Sequence, residues 1–172
     1  MKKVIIIGCP GSGKSTLARS LHEITGLPLI HLDMLNWNTD GTTVPREVFR
    51  SRLNDALQGE RWIIDGNYSS TMDLRLAACD TVFFLDYPIE VCLAGALERR
   101  GKPRTDIPWV EPADAPLDEE FLNFIRSYEH DSRPEVIGLL ANYPQKNIIT
   151  FTSRPQADEF LRTLSSHREE TV

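Results

Sequence analysis

Val4-Ile5-Ile6-Ile7-Gly8-Cys9-Pro10-Gly11-Ser12-Gly13-Lys14-Ser15-Thr16 is the stretch that decides the fold. Its opening run of branched apolar residues suits a short strand buried on both faces, the kind found in parallel sheets. The run leads directly into glycines at 8, 11 and 13. After them comes a segment in which Leu17, Leu21 and Ile24 fall at helical spacing. Gly8 to Ser15 satisfies the pattern GxxxxGK[ST] in full, between a strand and a helix, which is the context that gives the pattern its chemistry. Glycines let the backbone curl until successive N–H groups point at one anion. The loop then delivers that anion to a helix N-terminus, where unpaired N–H groups and the dipole favour negative charge. Lys14 is placed to reach β- and γ-phosphates, Ser15 offers a hydroxyl to Mg²⁺, and Thr16 adds a phosphate contact. Gly8, Cys9, Pro10, Gly11, Ser12, Gly13, Lys14, Ser15 and Thr16 are therefore expected to bind ATP with Mg²⁺. The competing reading is a dinucleotide turn, since Gly11–Thr16 reads as GxGxxG with threonine at the third glycine and Asp33 follows the next strand. The missing glycine and the added lysine weigh against it.

Outward from this stretch, apolar runs alternate with helix-period segments, the order of an α/β fold with a parallel sheet. Strands are expected over 2–7, 27–32, 61–65, 81–85 and 147–151. Helices are expected over 13–24, 45–57, 70–78, 88–100, 117–130, 134–143 and 155–165. Pro45 and Pro88 suit helix starts, and Gly101 suits a helix end. Residues 101–117 break the alternation with Pro103, Pro108, Pro112 and Pro116 and no period, and long irregular segments of this kind are usually functional or disordered.

The chain has 172 residues, 41% of them hydrophobic and 26% charged, which fits one ordinary globular domain. The net charge of −6 repels a polyanion, so direct nucleic-acid binding is not expected. Cys9, Cys79 and Cys92 stand far apart with no CxxC pair, which argues against a disulfide framework or a zinc site and for reduced thiols. Lys2-Lys3 and the apolar run before Cys9 superficially resemble a lipoprotein signal. That run falls short of the ~7–15 residues a secretory segment needs. No stretch approaches the ~20 apolar residues of a membrane span, and a cytoplasmic protein is expected.

Phosphoryl transfer needs a carboxylate near the metal or the acceptor. Asp33, Asp65 and Asp86 each lie at the C-terminal end of an expected strand, the edge at which open α/β sheets bind ligands. Asp86-Tyr87-Pro88 is better explained as the turn that starts a helix; Asp33 and Asp65-Gly66 have no equally good structural explanation.

Gly8–Thr16 together with His31-Leu32-Asp33-Met34-Leu35-Asn36-Trp37, Trp62-Ile63-Ile64-Asp65-Gly66-Asn67-Tyr68 and Phe84-Leu85-Asp86-Tyr87-Pro88 resembles the adenylate-kinase-like P-loop proteins. Within them it resembles the branch called DNA topology modulation proteins, from Lys3 to about Leu164. The resemblance implies a three-layer P-loop NTPase fold: a five-stranded parallel sheet of order 2-3-1-4-5 with helices on both faces. It implies one domain over 1–172, an acceptor-binding segment over about 33–60 and a lid-like segment over about 101–133. Asp65 matches the carboxylate used near Mg²⁺, and Arg99 matches a lid-hinge arginine that contacts ATP phosphates. Departures fall on the acceptor side. Asn36, Asn67-Tyr68-Ser69 and Gly95 stand where adenylate kinases carry arginines, two of which grip the acceptor phosphate.

Arg46, Arg50, Arg52, Arg75, Arg104, Arg126 and Arg133 remain as anion-binding candidates, and Trp37 as either a pocket floor or a core residue. The resulting expectation is an ATP-dependent phosphotransferase, with Lys14, Asp65, Asp33, Arg99 and Arg104 catalytic and Ser15 and Asp65 on the metal. The acceptor is a small molecule or nucleotide, bound between Asp33, the 45–57 helix and Asp65. The alternative is a nucleotide-dependent switch or weak ATPase linked to DNA topology.

Overall fold

Ile5, Ile6 and Ile7 are each fully buried, which in a strand is possible only if both sheet faces are covered. The computed structural model, which describes residues 1–109 and 118–169, shows how. Strands β1 (Lys3–Gly8), β2 (Leu29–His31), β3 (Trp62–Asp65), β4 (Thr81–Leu85) and β5 (Asn147–Phe151) form one parallel sheet of order β2-β3-β1-β4-β5. This is the order the resemblance implied, with β1 at the centre.

The strand period of two sends alternate side chains to opposite layers. Val4 and Ile6 of β1, Ile63 of β3 and Phe83 and Leu85 of β4 join one core. On that face lie α1 (Lys14–Thr25), α5 (Ile89–Glu98), α6 (Glu119–Ser127) and α8 (Arg154–Glu169), through Leu17, Leu21, Cys92, Ile125 and Ala157. Ile5 and Ile7, Trp62 and Ile64, Val82 and Phe84 join the other core. There they meet α3 (Arg46–Leu57), α4 (Met72–Ala78) and α7 (Ser132–Ala141), through Phe49, Leu53, Met72, Leu76, Val136 and Leu140. No described helix is long and apolar enough to cross a membrane.

Most expected elements form within a few residues of their expected ends, with three differences. β2 stops at His31, and Leu32–Asn36 turns into a short helix α2, so Asp33 sits in a helical first turn and not on the strand. Residues 118–133, expected as the second half of a lid, belong to the body. Asp118 caps α6 by accepting from the Phe121 N–H at 3.0 Å, and Leu122, Ile125 and Tyr128 are buried. The stretch 101–109 also has apolar anchorage: Ile107 is buried, and the Trp109 ring lies 4.9 Å from that of Trp37. Pro112, Pro116 and the expected helix start at Leu117 lie outside the described residues.

Candidate functional site

β1 ends at Gly8, and the chain leaves the sheet through left-handed backbone at Gly11 (φ 80°) and Gly13 (φ 95°). The loop needs glycine at 11 for space as well as for conformation. A Cβ there would strike the Cys92 carbonyl, and a Cβ at Gly95 would strike the Gly11 carbonyl. Loop and α5 therefore touch backbone to backbone, so no side chain fits at 95, where the resemblance leads one to expect an arginine. Cys9 is buried, and the hydrogen bond with the Cys92 thiol, followed by its own burial, keeps it protonated. Only the backbone of Cys9 is left to face a ligand.

α1 begins at Lys14 with no side-chain cap and no acidic residue in its first turn, which leaves its N-terminal N–H groups for an anion. Ser12 is buried, and its hydroxyl has no hydrogen-bond partner among the described residues although Ser12 lines the adjoining cavity. Such an orphaned donor is explained by a ligand oxygen. Lys14 Nζ donates to the loop's own Cys9 carbonyl at 3.0 Å. Burial lowers its pKa against the opposing charges of Asp65 and Asp33. Thr16 is exposed and accepts from Arg19 at 3.3 Å.

A cavity of about 610 Å³ opens over the loop, a size suited to a nucleotide. Gly11–Thr16 form its floor, and Arg19, Arg99, Lys102, Arg104, Asp106 and Arg154 stand around it. Arg99 follows α5 directly, with its guanidinium 5.1 Å from the centre of the Phe121 ring.

Asp33, whose charge acts on Lys14, accepts a hydrogen bond from the Tyr68 hydroxyl at 2.7 Å. Burial raises the Asp33 pKa, and the Tyr68 bond and the Lys14 charge only partly offset it. Tyr68 is the one non-glycine residue with positive φ among the described residues, at 37°. Arg75 holds it there. Fully buried, this guanidinium donates to the carbonyls of Gly66 (2.8 Å), Asn67 and Tyr68 (3.0 Å). Asn67 in turn accepts from the Gly8 N–H at 3.1 Å, so the loop after β3 braces the phosphate loop. Asp65 ends β3 as expected and is nearly buried, and His31 Nδ1 meets its Oδ1 at 2.6 Å. Burial alone would lower the His31 pKa, but the hydrogen bond and charge of Asp65 outweigh it and the net shift is upward.

Asp106 also contacts the loop. It accepts from the Ser15 hydroxyl at 3.1 Å and is gripped by both Nε and a terminal nitrogen of Arg104 at 3.2 and 2.8 Å. The oxygen donors on Ser15 and Asp106 are of the kind that suits Mg²⁺. No group of three or more histidine, cysteine or carboxylate side chains that could hold a metal ion exists among the described residues.

Lys14, Ser15, Arg99 and Arg104 line one cavity. Asp33 and Asp65 are not in its lining, although their charges act on Lys14, and several expected arginines are committed elsewhere. Arg75 is a clamp on carbonyls. Arg133 pairs bidentately with Asp86 at 2.7 Å, which gives that aspartate a partner at the turn that leads into α5 after Pro88. Arg126 lies on the exposed side of α6 with Asn123 and Glu119, and Arg52 donates to the Leu35 carbonyl. Arg46 and Arg50 are exposed. Sequence reasoning missed His31, Tyr68 and Asp106. The signal for the first was its place two residues before Asp33; for Asp106 it was a carboxylate two residues after a candidate phosphate arginine.

No family model matches the chain. A shikimate kinase of Rhodococcus erythropolis is 33% identical over a match that covers 58% of this chain and 64% of that protein, so the likeness spans less than two thirds of the relative. Among solved structures, a shikimate kinase from Bacteroides thetaiotaomicron superposes with a TM-score of 0.58 at 19% identity, covering 96% of this chain and 97% of the other. A gluconokinase from Sinorhizobium meliloti does so with a TM-score of 0.57 at 16% identity, covering 96% and 90%. At these identities the structural likenesses establish a shared P-loop kinase fold.

Proposed function

We propose that this chain is an ATP-dependent kinase that transfers the γ-phosphate of ATP to a hydroxyl of a small molecule. The observation that carries this reading is the placement of Asp33. Its carboxyl, raised in pKa by burial and aimed by Tyr68, lies within electrostatic reach of the phosphate-binding lysine. A carboxylate in that position is a general base for an incoming hydroxyl. The glycine loop, the N-terminus of α1 and Lys14 hold the triphosphate, and Arg99 and Arg104 face its charge from across the cavity. As the acceptor oxygen bonds to the γ-phosphorus, the bridging bond to ADP breaks and the hydroxyl proton passes to Asp33. Ser15 with nearby carboxylates would hold Mg²⁺, which neutralises charge on the β- and γ-phosphates when bound.

The acceptor segment is 33–60, and the stretch 101–109 covers the phosphate end, with Trp109 against Trp37. With Arg75, Arg133, Arg126 and Arg52 committed elsewhere, the acceptor side is built from Asp33, Tyr68 and Trp37, which favours a hydroxyl compound held by hydrogen bonds over one gripped by its phosphate. The LDMLNW and WIIDGNY segments support placing the chain in the DNA topology modulation branch, in a cytoplasmic setting that supplies ATP. Shikimate, gluconate, neutral polyols, nucleosides and nucleotides form the acceptor panel. ADP release that depends on one acceptor, and falls at least ~100-fold in Asp33→Asn with ATP binding retained, supports the reading. ATP hydrolysis indifferent to every acceptor would refute it.

A further inference from the structure

Asp106 belongs to a stretch with neither helix nor strand, yet it is only 7% exposed. Ile107 beside it is buried, and Trp109 packs on Trp37, so the stretch is fixed on both counts. Arg104 grips the carboxylate through Nε at 3.2 Å and a terminal nitrogen at 2.8 Å. A buried carboxylate thus meets the one hydroxyl of the phosphate loop that this kind of loop offers to a metal.

The distance between them suits an ion. Two oxygens in adjacent positions of an octahedral Mg²⁺ site, each ~2.0–2.1 Å from the metal, lie ~2.8–3.0 Å apart. Ser15 Oγ and Asp106 Oδ2 are 3.1 Å apart, so both reach one ion with the hydroxyl proton turned away and almost no movement of the chain. Asp65 has its Oδ1 engaged by His31 at 2.6 Å. We infer that Asp106, and not Asp65, is the carboxylate that completes the Mg²⁺ site with Ser15, Asp65 being a positioning residue that acts through His31. The inference rests on the kinase reading, since it needs a metal nucleotide in the loop. Arg104 neutralises Asp106 before nucleotide arrives, so the metal by itself has little to bind; the triphosphate offers Arg104 new oxygens and supplies the remaining ligands. The site is completed by its own substrate.

The rival is that the Asp106 carboxylate stands in for a phosphate and is expelled by nucleotide. The two readings predict opposite signs. ADP is titrated calorimetrically into wild type, Asp106→Asn and Asp65→Asn, with EDTA and with Mg²⁺, and Mn²⁺ binding in the presence of ADP is followed by electron paramagnetic resonance. The readout is the metal enhancement, the ratio of ADP affinity with metal to that without. Asp106→Asn is expected to lower it at least ~10-fold while leaving EDTA-state binding equal or tighter, and to abolish ordered Mn²⁺. Asp65→Asn is expected to change it less than ~3-fold, and Asp106→Glu, which restores the charge, to recover part of it. Circular dichroism checks that each variant is folded. Metal enhancement unchanged in Asp106→Asn, or lost in Asp65→Asn instead, overturns the assignment. Tighter ADP binding by Asp106→Asn to the same degree with and without metal overturns it in favour of the stand-in. Wild type that binds no ADP in any condition overturns the nucleotide reading and this inference with it.

Discussion

Replacing Arg75 by methionine tests whether a buried charge can be structural in the loop after β3. The guanidinium is fully buried and donates to three carbonyls of residues 66–68, with its Nε left without a partner among the described residues. Hydrogen bonds from a charged donor contribute ~1.5–3 kcal/mol each, so three give a gross stabilisation of roughly 5–9 kcal/mol. Against this stands the cost of burying the charge. Burial lowers the Arg75 pKa to about 10. That lowering corresponds to about 3 kcal/mol against the charged form. Release of Tyr68 from its left-handed backbone returns ~1 kcal/mol to the variant. Arg75→Met should therefore destabilise the protein by about 3 kcal/mol, a large share of the ~5–15 kcal/mol available to a domain. Urea unfolding with linear extrapolation measures it, and melting should fall by ~6–12 °C. Because Asn67 and Tyr68 lose their frame, the variant should also lose ADP affinity under conditions in which it remains folded. A loss below ~1 kcal/mol would show that the carbonyls find other partners and that the clamp is dispensable.

Lys14→Ala should weaken ATP binding about 10–150-fold in calorimetry while affecting adenosine little, since a charge-assisted contact to phosphate is lost; equal ATP affinity in mutant and wild type would remove the phosphate-loop assignment. Gly95→Ala should cost ~1–3 kcal/mol and reduce ATP affinity, because its methyl group meets the Gly11 carbonyl. Full affinity there would mean that loop and α5 separate freely. The folded-state pKa of His31 is raised above 6.5, so its pairing with Asp65 contributes stability fully below the unfolded value, and that contribution disappears as pH rises through the folded value. The stability gap between wild type and His31→Gln should accordingly be larger near about pH 6 than near about pH 9, and a gap independent of pH would refute the charged pair.

The strand–loop–helix unit over 3–25 was legible because everything it needs is local. Gly8, Gly11, Gly13 and Lys14 act through their own backbone and one side chain within a single strand–loop–helix unit. Elements were legible for the same reason: branched apolar runs and helical spacing report neighbours two to four residues away. The strand order came through the family resemblance, since periodicity says nothing of which strand lies beside which. The carboxylates were placed at the correct sheet edge, but their partners were not legible. Ser15 and Asp106 are 91 residues apart, Gly8 and Asn67 are 59, and His31 and Asp65 are 34.

Sequence by itself determined that this chain builds a parallel α/β sheet with a glycine-rich strand–loop–helix unit at its centre, because those features arise from residue type and short spacing. Tertiary structure decided what surrounds that loop. It turned Arg75 inward as a clamp, paired Arg133 with Asp86, fitted Gly95 against Gly11 and brought Asp106 down onto Ser15. The physical reason is that a charged or polar side chain takes its role from whichever partner the fold brings within about 3 Å. A residue's identity fixes what it can donate or accept, and only the packed layers fix to whom.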